Sequence, residues 1–335
     1  KCKEIRVVIR FGIIGTGRIA RRFLKEMEHV DGASITVVFN PHGGSAMEFV
    51  SRLQDDIVGL VPSAVNGLSR FSLPEPVNKI EDMWDKVDAI YIASPHGTHT
   101  DYAKEALEHG KHVLCEKPMC LTEGDAKKIY KLAHKKGLVL MEGLKTAYCP
   151  GFLKLMEVVD SGVIGDVKYV EATFTKLVPE DSRELQDKDV AGSFIELGTY
   201  GMLAAFTFLG LDYKEVKFDK LLNGDGVDIF TTASFGYADG IARVNAGLGV
   251  KSDGSLVVAG TKGYISVPAP WWRTKHFEIR FEDPNDIISY DRDFAGDGLR
   301  YEIREFVDRI NGAEATVDLE DMSVAMAKVM EKARG

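Results

Sequence analysis

Residues 88–118 constrain the fold more than any other stretch of this chain. They read Asp88-Ala-Ile-Tyr-Ile-Ala-Ser94-Pro95-His96-Gly97-Thr98-His99, then a helix-like run, then His112-Val-Leu-Cys-Glu116-Lys117-Pro118. Two apolar runs, 89–93 and 112–115, flank an amphipathic segment, 98–109. That alternation of periods predicts a β-α-β unit and therefore parallel strands. In an open parallel sheet, ligands sit outside the carboxyl ends of the strands. Ser94-Pro95-His96 ends the first strand and Glu116-Lys117-Pro118 ends the second, so both clusters are expected at one crevice. Lys117 is the first candidate for chemistry.

The N-terminal stretch sharpens this reading. Residues 7–14 form a continuous apolar, β-branched run typical of a buried strand. It flows into Gly15-Thr16-Gly17-Arg18-Ile19-Ala20, the G-x-G-x-x-A form of the dinucleotide fingerprint. Gly15 permits the tight turn, Gly17 lets the backbone approach a pyrophosphate, and Ala20 lets a helix over 18–29 pack on the strand. The helix N-terminus then faces the phosphates, which makes Gly15, Thr16, Gly17, Arg18 and Ile19 candidate cofactor contacts. A second strand over 34–39 ends at Asn40, where NAD-selective folds place an acid for the ribose hydroxyls. With no carboxylate there, nothing repels a 2′-phosphate. The expectation is NAD(P) with a lean to NADP, Asn40 bonding a hydroxyl and His42 or Ser45 reaching a phosphate; Asn40 simply starting the turn is the other reading.

At 335 residues the chain exceeds one ordinary core, which suggests two domains. The expected division is a dinucleotide-binding domain over 1–145 and a substrate and oligomerisation domain over 146–335, whose closing helices can pack back on the first. Net charge is −9 with no basic block, which argues against a nucleic-acid partner. No apolar run approaches the roughly 20 residues that span a bilayer, and the opening residues read straight into a strand without a signal peptide. Cys2, Cys115, Cys120 and Cys149 are scattered, without metal spacing, which fits a reducing, cytoplasmic setting. Further helices are expected over 45–53, 80–86, 122–136, 151–161, 192–209, 299–310 and 319–331, with 54–78 irregular. Strands are expected over 138–141 and 167–175. Seven short strands between 214 and 290, separated by Gly-rich turns, predict a mostly antiparallel sheet. Apolar residues at both parities there (Val227, Ile229, Val244, Ala246, Leu248) suggest that one face meets helices and the other a second subunit.

Ile13–Ala20, Ser94–His99, Glu116-Lys117-Pro118 and Gly192-Ser-Phe-Ile-Glu196-Leu-Gly-Thr-Tyr200 together resemble the glucose–fructose oxidoreductase/inositol dehydrogenase (Gfo/Idh/MocA) family. The similarity covers nearly the whole chain. It implies an α/β architecture, an N-terminal Rossmann domain with a doubly wound parallel sheet followed by a C-terminal α+β domain with a large open sheet that often serves as the subunit interface. It also implies NAD(P)-dependent hydride transfer on a sugar, polyol or dihydrodiol-like carbocycle, with Lys117 catalytic near the nicotinamide. Many members carry Asp-x-Gly-x-His later in the chain. Here Glu196-Leu-Gly-Thr-Tyr200 stands in its place, similar to the tyrosine branch that includes dihydrodiol dehydrogenases.

Each candidate also has a plainer reading. Lys117 could be a surface lysine after a strand, and Tyr200 a core residue on an apolar helix. The spacing of Glu196 and Tyr200 places them on one helical face, where the pair could move a proton, with Glu196 orienting Lys117 or holding a substrate hydroxyl. A neighbouring ammonium favours phenolate over phenol. Lys145 is either a substrate contact or a solvated loop lysine. Ser94, Pro95, His96, His99 and Glu116 are expected along the cofactor, His99 starting the helix beside it. The His96/His99 and His109/His112 pairs lack a third ligand, so no metal is expected. Trp271-Trp272 looks exposed and could line a substrate mouth or an interface, or pack in the core. The enzyme reading competes with a nucleotide-sensing regulator and with a cofactor-assisted glycosidase on the same fold. A regulator needs no proton-transfer pair, and the glycosidase would leave cofactor absorbance unchanged.

Overall fold

The computed structural model describes residues 8–42, 44–60 and 73–334. Two compact units divide the chain. One gathers the described residues through Glu116 with Lys128–Gly143 and Leu299–Ala315; the other holds Lys117–Lys127, Leu144–Gly298 and the described residues from Thr316 on.

The first unit is built on strands β1 (Ile9–Ile14), β2 (Ala33–Phe39), β3 (Glu75–Val77), β4 (Ala89–Ile92), β5 (His112–Glu116) and β6 (Leu140–Gly143). They form a six-stranded sheet of order β3-β2-β1-β4-β5-β6, parallel throughout. The central strands are buried on both faces, which is why they read as unbroken apolar runs rather than alternating ones. The helices are α1 (Arg18–Met27), α2 (Ser45–Leu60), α3 (His99–Glu108) and α4 (Glu123–Lys136), whose first turn precedes this unit. α7 (Leu299–Ile310) also belongs here. Phe306 of α7 meets Phe11, and Arg300 holds Glu26 of α1 through two bonds of 2.9 Å. Two expectations are corrected. The irregular 54–78 segment is helical to Leu60 and adds an edge strand at Glu75–Val77, with 61–72 outside the described residues. The helix expected over 80–86 is two short 3-10 turns, Ile80–Asp82 and Trp84–Lys86.

The second unit carries α5 (Pro150–Asp160), α6 (Ser193–Leu209) and α8 (Glu320–Arg334). Its strands are β7 (Val167–Thr175), β8 (Glu215–Leu222), β9 (Asp228–Gly236), β10 (Ile241–Gly247), β11 (Leu256–Gly260), β12 (Tyr264–Val267), β13 (His276–Arg280) and β14 (Ile287–Asp291). They form one sheet of order β14-β13-β12-β11-β7-β10-β9-β8 in which only the β7–β10 pair is parallel. α6 is apolar almost all round and lies on β7, β9 and β10. A Cβ on Gly201 would stand 2.4 Å from Val244 Cγ1, so glycine sets this close approach.

The expectation of an apolar face on both sides of this sheet fails. Val244 and Ala246 share the buried side with Ala242, while Arg243 and Asn245 alternate onto the other. That other face is mixed, with Ile241 and Tyr264 exposed beside a polar network. Asn245 accepts from Thr232 at 2.8 Å and donates to Thr173 and Glu171, and Glu171 accepts from Tyr169 at 2.7 Å. Val227 and Leu248 are buried at strand ends, so neither contributes to an open apolar surface.

Candidate functional site

In the first unit, β1 turns into α1 through the glycine loop. Gly15 has φ +107°, and a Cβ there would lie 2.5 Å from the carbonyl oxygen of Ala93. Gly17, with φ −76°, opens α1, and a Cβ at this position meets nothing within 4 Å. The first turn of α1 has no acidic residue and Gly17 offers no side chain to cap it. Gly17 and Arg18 are exposed, Thr16 and Ile19 half-buried. Uncapped backbone N–H groups at the positive end of a helix dipole, reached over a bare glycine, fit a pyrophosphate. The residues present therefore suit a dinucleotide.

The neighbouring polar residues serve the loops themselves. Asn40 donates through Nδ2 to Thr16 Oγ1 at 2.7 Å, and its Oδ1 accepts the His42 N–H at 2.9 Å. Its amide thus ties the end of β2 to the glycine loop, nearer the turn reading than the hydroxyl-binding one. Ser94 Oγ lies 2.8 Å from Thr98 Oγ1, which donates to the Pro95 carbonyl. His99 is fully buried, and Nε2–H donates to the Ser94 carbonyl at 2.9 Å, holding the β4–α3 turn closed. His99 opens α3, as expected, and half-buried His96 lies edge-on to its ring. Glu116 is buried and accepts from Tyr91 Oη at 2.5 Å. Burial, with the charges of Glu116 and Glu302, pushes the Tyr91 phenol well above its ordinary range.

In the second unit, Lys117 Nζ donates to the backbone carbonyl of Glu196 at 2.8 Å and lies 3.8 Å from the Glu196 carboxylate. It also stands 5.9 Å from the centroid of the Tyr200 ring, a cation–π arrangement. Lys117 and Glu196 are only 13% and 18% exposed, so this pair is little screened. Three residues that sequence reasoning chose from places far apart are therefore together. Tyr200 meets the edge of Phe174, which stacks on Trp272 with centroids 3.5 Å apart. The exposed tryptophan pair is corrected: Trp271 is fully buried, with Nε1 donating to the Thr173 carbonyl, and only Trp272 is half-buried. Lys145 is buried and donates to the Asp297 carbonyl at 2.6 Å, while the Asp297 carboxylate pairs with Arg273. It is not a solvated loop lysine. Phe174 and the Arg273–Asp297 pair carried no local signal; Phe174 is placed by the register of β7, and the pair lies in a 3-10 turn and a loop outside any motif.

Among the described residues, no group of three or more His, Cys, Asp and Glu side chains could hold a metal ion, and no helix is long and apolar enough to cross a membrane. Residues 9–144 match the model of an oxidoreductase family with an NAD-binding Rossmann fold (GFO_IDH_MocA), and residues 152–266 match the GFO/IDH/MocA C-terminal domain. The chain belongs to the GFO/IDH/MocA family. It is 29% identical to scyllo-inositol 2-dehydrogenase (NADP(+)) IolU of Bacillus subtilis, over 98% of this chain and 96% of that one. It is 25% identical to trans-1,2-dihydrobenzene-1,2-diol dehydrogenase of Mus musculus, over the same shares. The solved structure of KijD10, a 3-ketoreductase from Actinomadura kijaniata in complex with NADP and TDP-benzene, superposes with a TM-score of 0.80 at 24% identity, covering 96% of both chains. Membership makes the protein an NAD(P)-dependent oxidoreductase with both domain types of the family.

Proposed function

We propose that this GFO/IDH/MocA protein is an NADP-dependent dehydrogenase of a ring polyol or aldose, with Lys117 and Tyr200 as its acid–base pair. The observation that carries the reading is the Lys117 ammonium held 2.8 Å from the Glu196 carbonyl and over the Tyr200 ring. The bound cofactor would accept or supply the hydride. The chain's own residues do the rest. Gly15–Ile19 would receive the pyrophosphate. Tyr200 would exchange the proton of the reacting hydroxyl, with Lys117 polarising the same oxygen. Glu196 supplies a carbonyl and a carboxylate that fix Lys117, which makes it a positioning group. Lys145 is held by its bond to the Asp297 carbonyl.

The preference for NADP is supported by the absence of any acid in Asn40-Pro-His-Gly-Gly-Ser45 and by the NADP specificity in the name of the B. subtilis relative. We also propose a homo-oligomer formed through the open face of the large sheet, where Ile241 and Tyr264 are exposed. A monomeric mass by light scattering at micromolar concentration would exclude it.

The test is a screen of scyllo-inositol, D-xylose and trans-1,2-dihydrobenzene-1,2-diol with NADP+ and NAD+, read as reduced-cofactor absorbance and as melting temperature. Turnover with NADP+ exceeding that with NAD+ supports the proposal. Cofactor binding without turnover of any ring substrate favours the regulator reading.

A further inference from the structure

α6 carries Glu196 and Tyr200 but begins at Gly192, which has no side chain to cap its first turn. The cap comes from another strand. Asp228, at the start of β9, accepts the Phe194 N–H at 2.9 Å and the Thr231 hydroxyl at 2.6 Å, both on Oδ2. Its backbone carbonyl accepts from Ser193 Oγ at 2.9 Å, and that same Oγ accepts the Leu248 N–H at 3.0 Å. Gly192 has φ +111°, and a Cβ there would fall 2.0 Å from Asp228 Oδ1. The approach of this carboxylate is thus built into the backbone. Burial pushes the Asp228 carboxyl above its ordinary range, while the bonds from Thr231 and Phe194 and the charge of Lys220 oppose the shift.

The first turn of α6 is therefore fixed to the ends of β9 and β10 just before it delivers the carbonyl that holds Lys117. Only Ile195 separates Phe194 from Glu196, and a helix transmits a displacement at its start rigidly along its first turns. Resting on the reading of Lys117 as an acid–base group, we propose that Asp228 is a positioning residue for it. It pins α6 in the register that places the Glu196 carbonyl 2.8 Å from Lys117 Nζ. Asp228 bonds neither to Lys117 nor to Tyr200; it acts through the helix. A misplacement of about 1 Å remote from the chemistry can cost about 100-fold in rate.

The experiment compares wild type with Asp228→Ala and Asp228→Asn, whose amide oxygen can still accept from Phe194. Each is reductively methylated with 13C-formaldehyde, and the Lys117 methyl resonance is identified by its loss in Lys117→Arg. Turnover of scyllo-inositol and D-xylose with NADP+ is measured on the unmethylated proteins. Asp228→Ala is expected to lower kcat about 10- to 100-fold with little change in KM, and to move the Lys117 resonance toward that of exposed lysines. Asp228→Asn is expected to restore most of both. A merely structural role would lower the melting temperature and leave kcat per folded molecule and the resonance unchanged. Should Asp228→Ala not fold, Thr231→Val, which removes one donor to Oδ2, decides in its place with the same changes at smaller size. An unmoved Lys117 resonance in the folded variant overturns the proposal. If no ring substrate is turned over by wild type, the proposed function fails while the resonance still decides the positioning.

Discussion

The glycine loop of the first unit and the lysine–tyrosine cluster of the second are the two candidate sites of the chain, and they are encoded differently. The loop is a backbone site. Gly15 through Ile19 offer N–H groups and a missing side chain, so a short contiguous motif specifies it nearly completely. The cluster is a side-chain site. Lys117 and Glu196 are 79 residues apart, and their contact exists only because α6 is seated on its sheet. A backbone site tolerates change around it but not a Cβ within it. A side-chain site tolerates small backbone change but not loss of a functional group.

Substitution at Lys117 breaks the comparison most strongly. Lys117→Ala is expected to lower kcat by at least about 100- to 10,000-fold on a turned-over ring substrate, since it removes both charge and positioning. Binding of NADPH, followed by fluorescence, should stay near wild type. Near-full turnover would show that the Glu-Lys-Pro motif is not the acid–base. Tyr200→Phe keeps the ring that faces Phe174 and deletes only the hydroxyl. A loss of up to about 10,000-fold, no larger than that of Lys117→Ala, is expected in kcat. A silent Tyr200→Phe would leave Lys117 as the sole acid–base and Tyr200 as a wall.

Gly17→Val is the reciprocal test. Its Cβ meets nothing of the protein and its φ of −76° suits any residue, so the variant should melt like wild type. It should nevertheless bind NADPH about 10- to 100-fold more weakly, each tenfold being about 1.4 kcal/mol. Unchanged titration curves would remove the loop from the cofactor site. Gly15→Ala, at φ +107° and against the Ala93 carbonyl, should instead fail in stability. Two glycines two residues apart thus separate ligand space from fold space.

The same contrast explains what could be read from the chain alone. The parallel sheet was legible because its strands are buried on both faces and the turns after β1, β4 and β5 carry motifs. Lys117, Glu196 and Tyr200 were legible through Glu-Lys-Pro and through helical spacing. The details at Asn40 and His99 were not legible because a polar residue at a strand end has the same sequence signature whether it faces a ligand or ties its own loop. A second apolar face was expected from apolar residues at both parities, but Val244 and Ala246 share the covered side and Val227 and Leu248 are buried at strand ends. Phe174, Asp228 and Asp297 have no motif at all; strand register brings the first two to α6, and a loop brings Asp297 to Lys145.

A smaller effect probes how α6 is seated. Gly201→Ala places a methyl group against Val244 Cγ1, where the space is 2.4 Å. Overpacking of this kind costs typically about 1–3 kcal/mol, read as a lower denaturant midpoint at unchanged slope. Because Tyr200 is the adjacent residue, kcat should fall as well, while NADPH binding should not. A variant as stable as wild type would mean that α6 can ride off the sheet without strain.

The smallest effect expected is a pH dependence confined to the first unit. His112 begins β5, and its Nδ1 accepts the Val139 N–H at 3.0 Å. A backbone N–H can only donate, so the ring must be neutral at Nδ1. Burial lowers the His112 pKa below the ordinary 6.5, with the charge of Asp88 opposing. Below that ordinary value the unfolded chain binds the proton more readily than the native one, so stability rises with pH across the window beneath it. The contribution is complete above about pH 7 and is lost as pH falls through the depressed native value. Protonation would set one N–H against another and break the link from β5 to the residue before β6. His112→Asn offers an oxygen to the same N–H without titrating. Between about pH 7.5 and 5.5 the denaturant midpoint of wild type should therefore fall further than that of His112→Asn. Asp88, held below the usual carboxylate range chiefly by its hydrogen bonds from Arg10, loses stability in acid in the same direction in both proteins. It largely cancels in the difference. Equal falls would show that the Val139 N–H does not depend on the state of the ring.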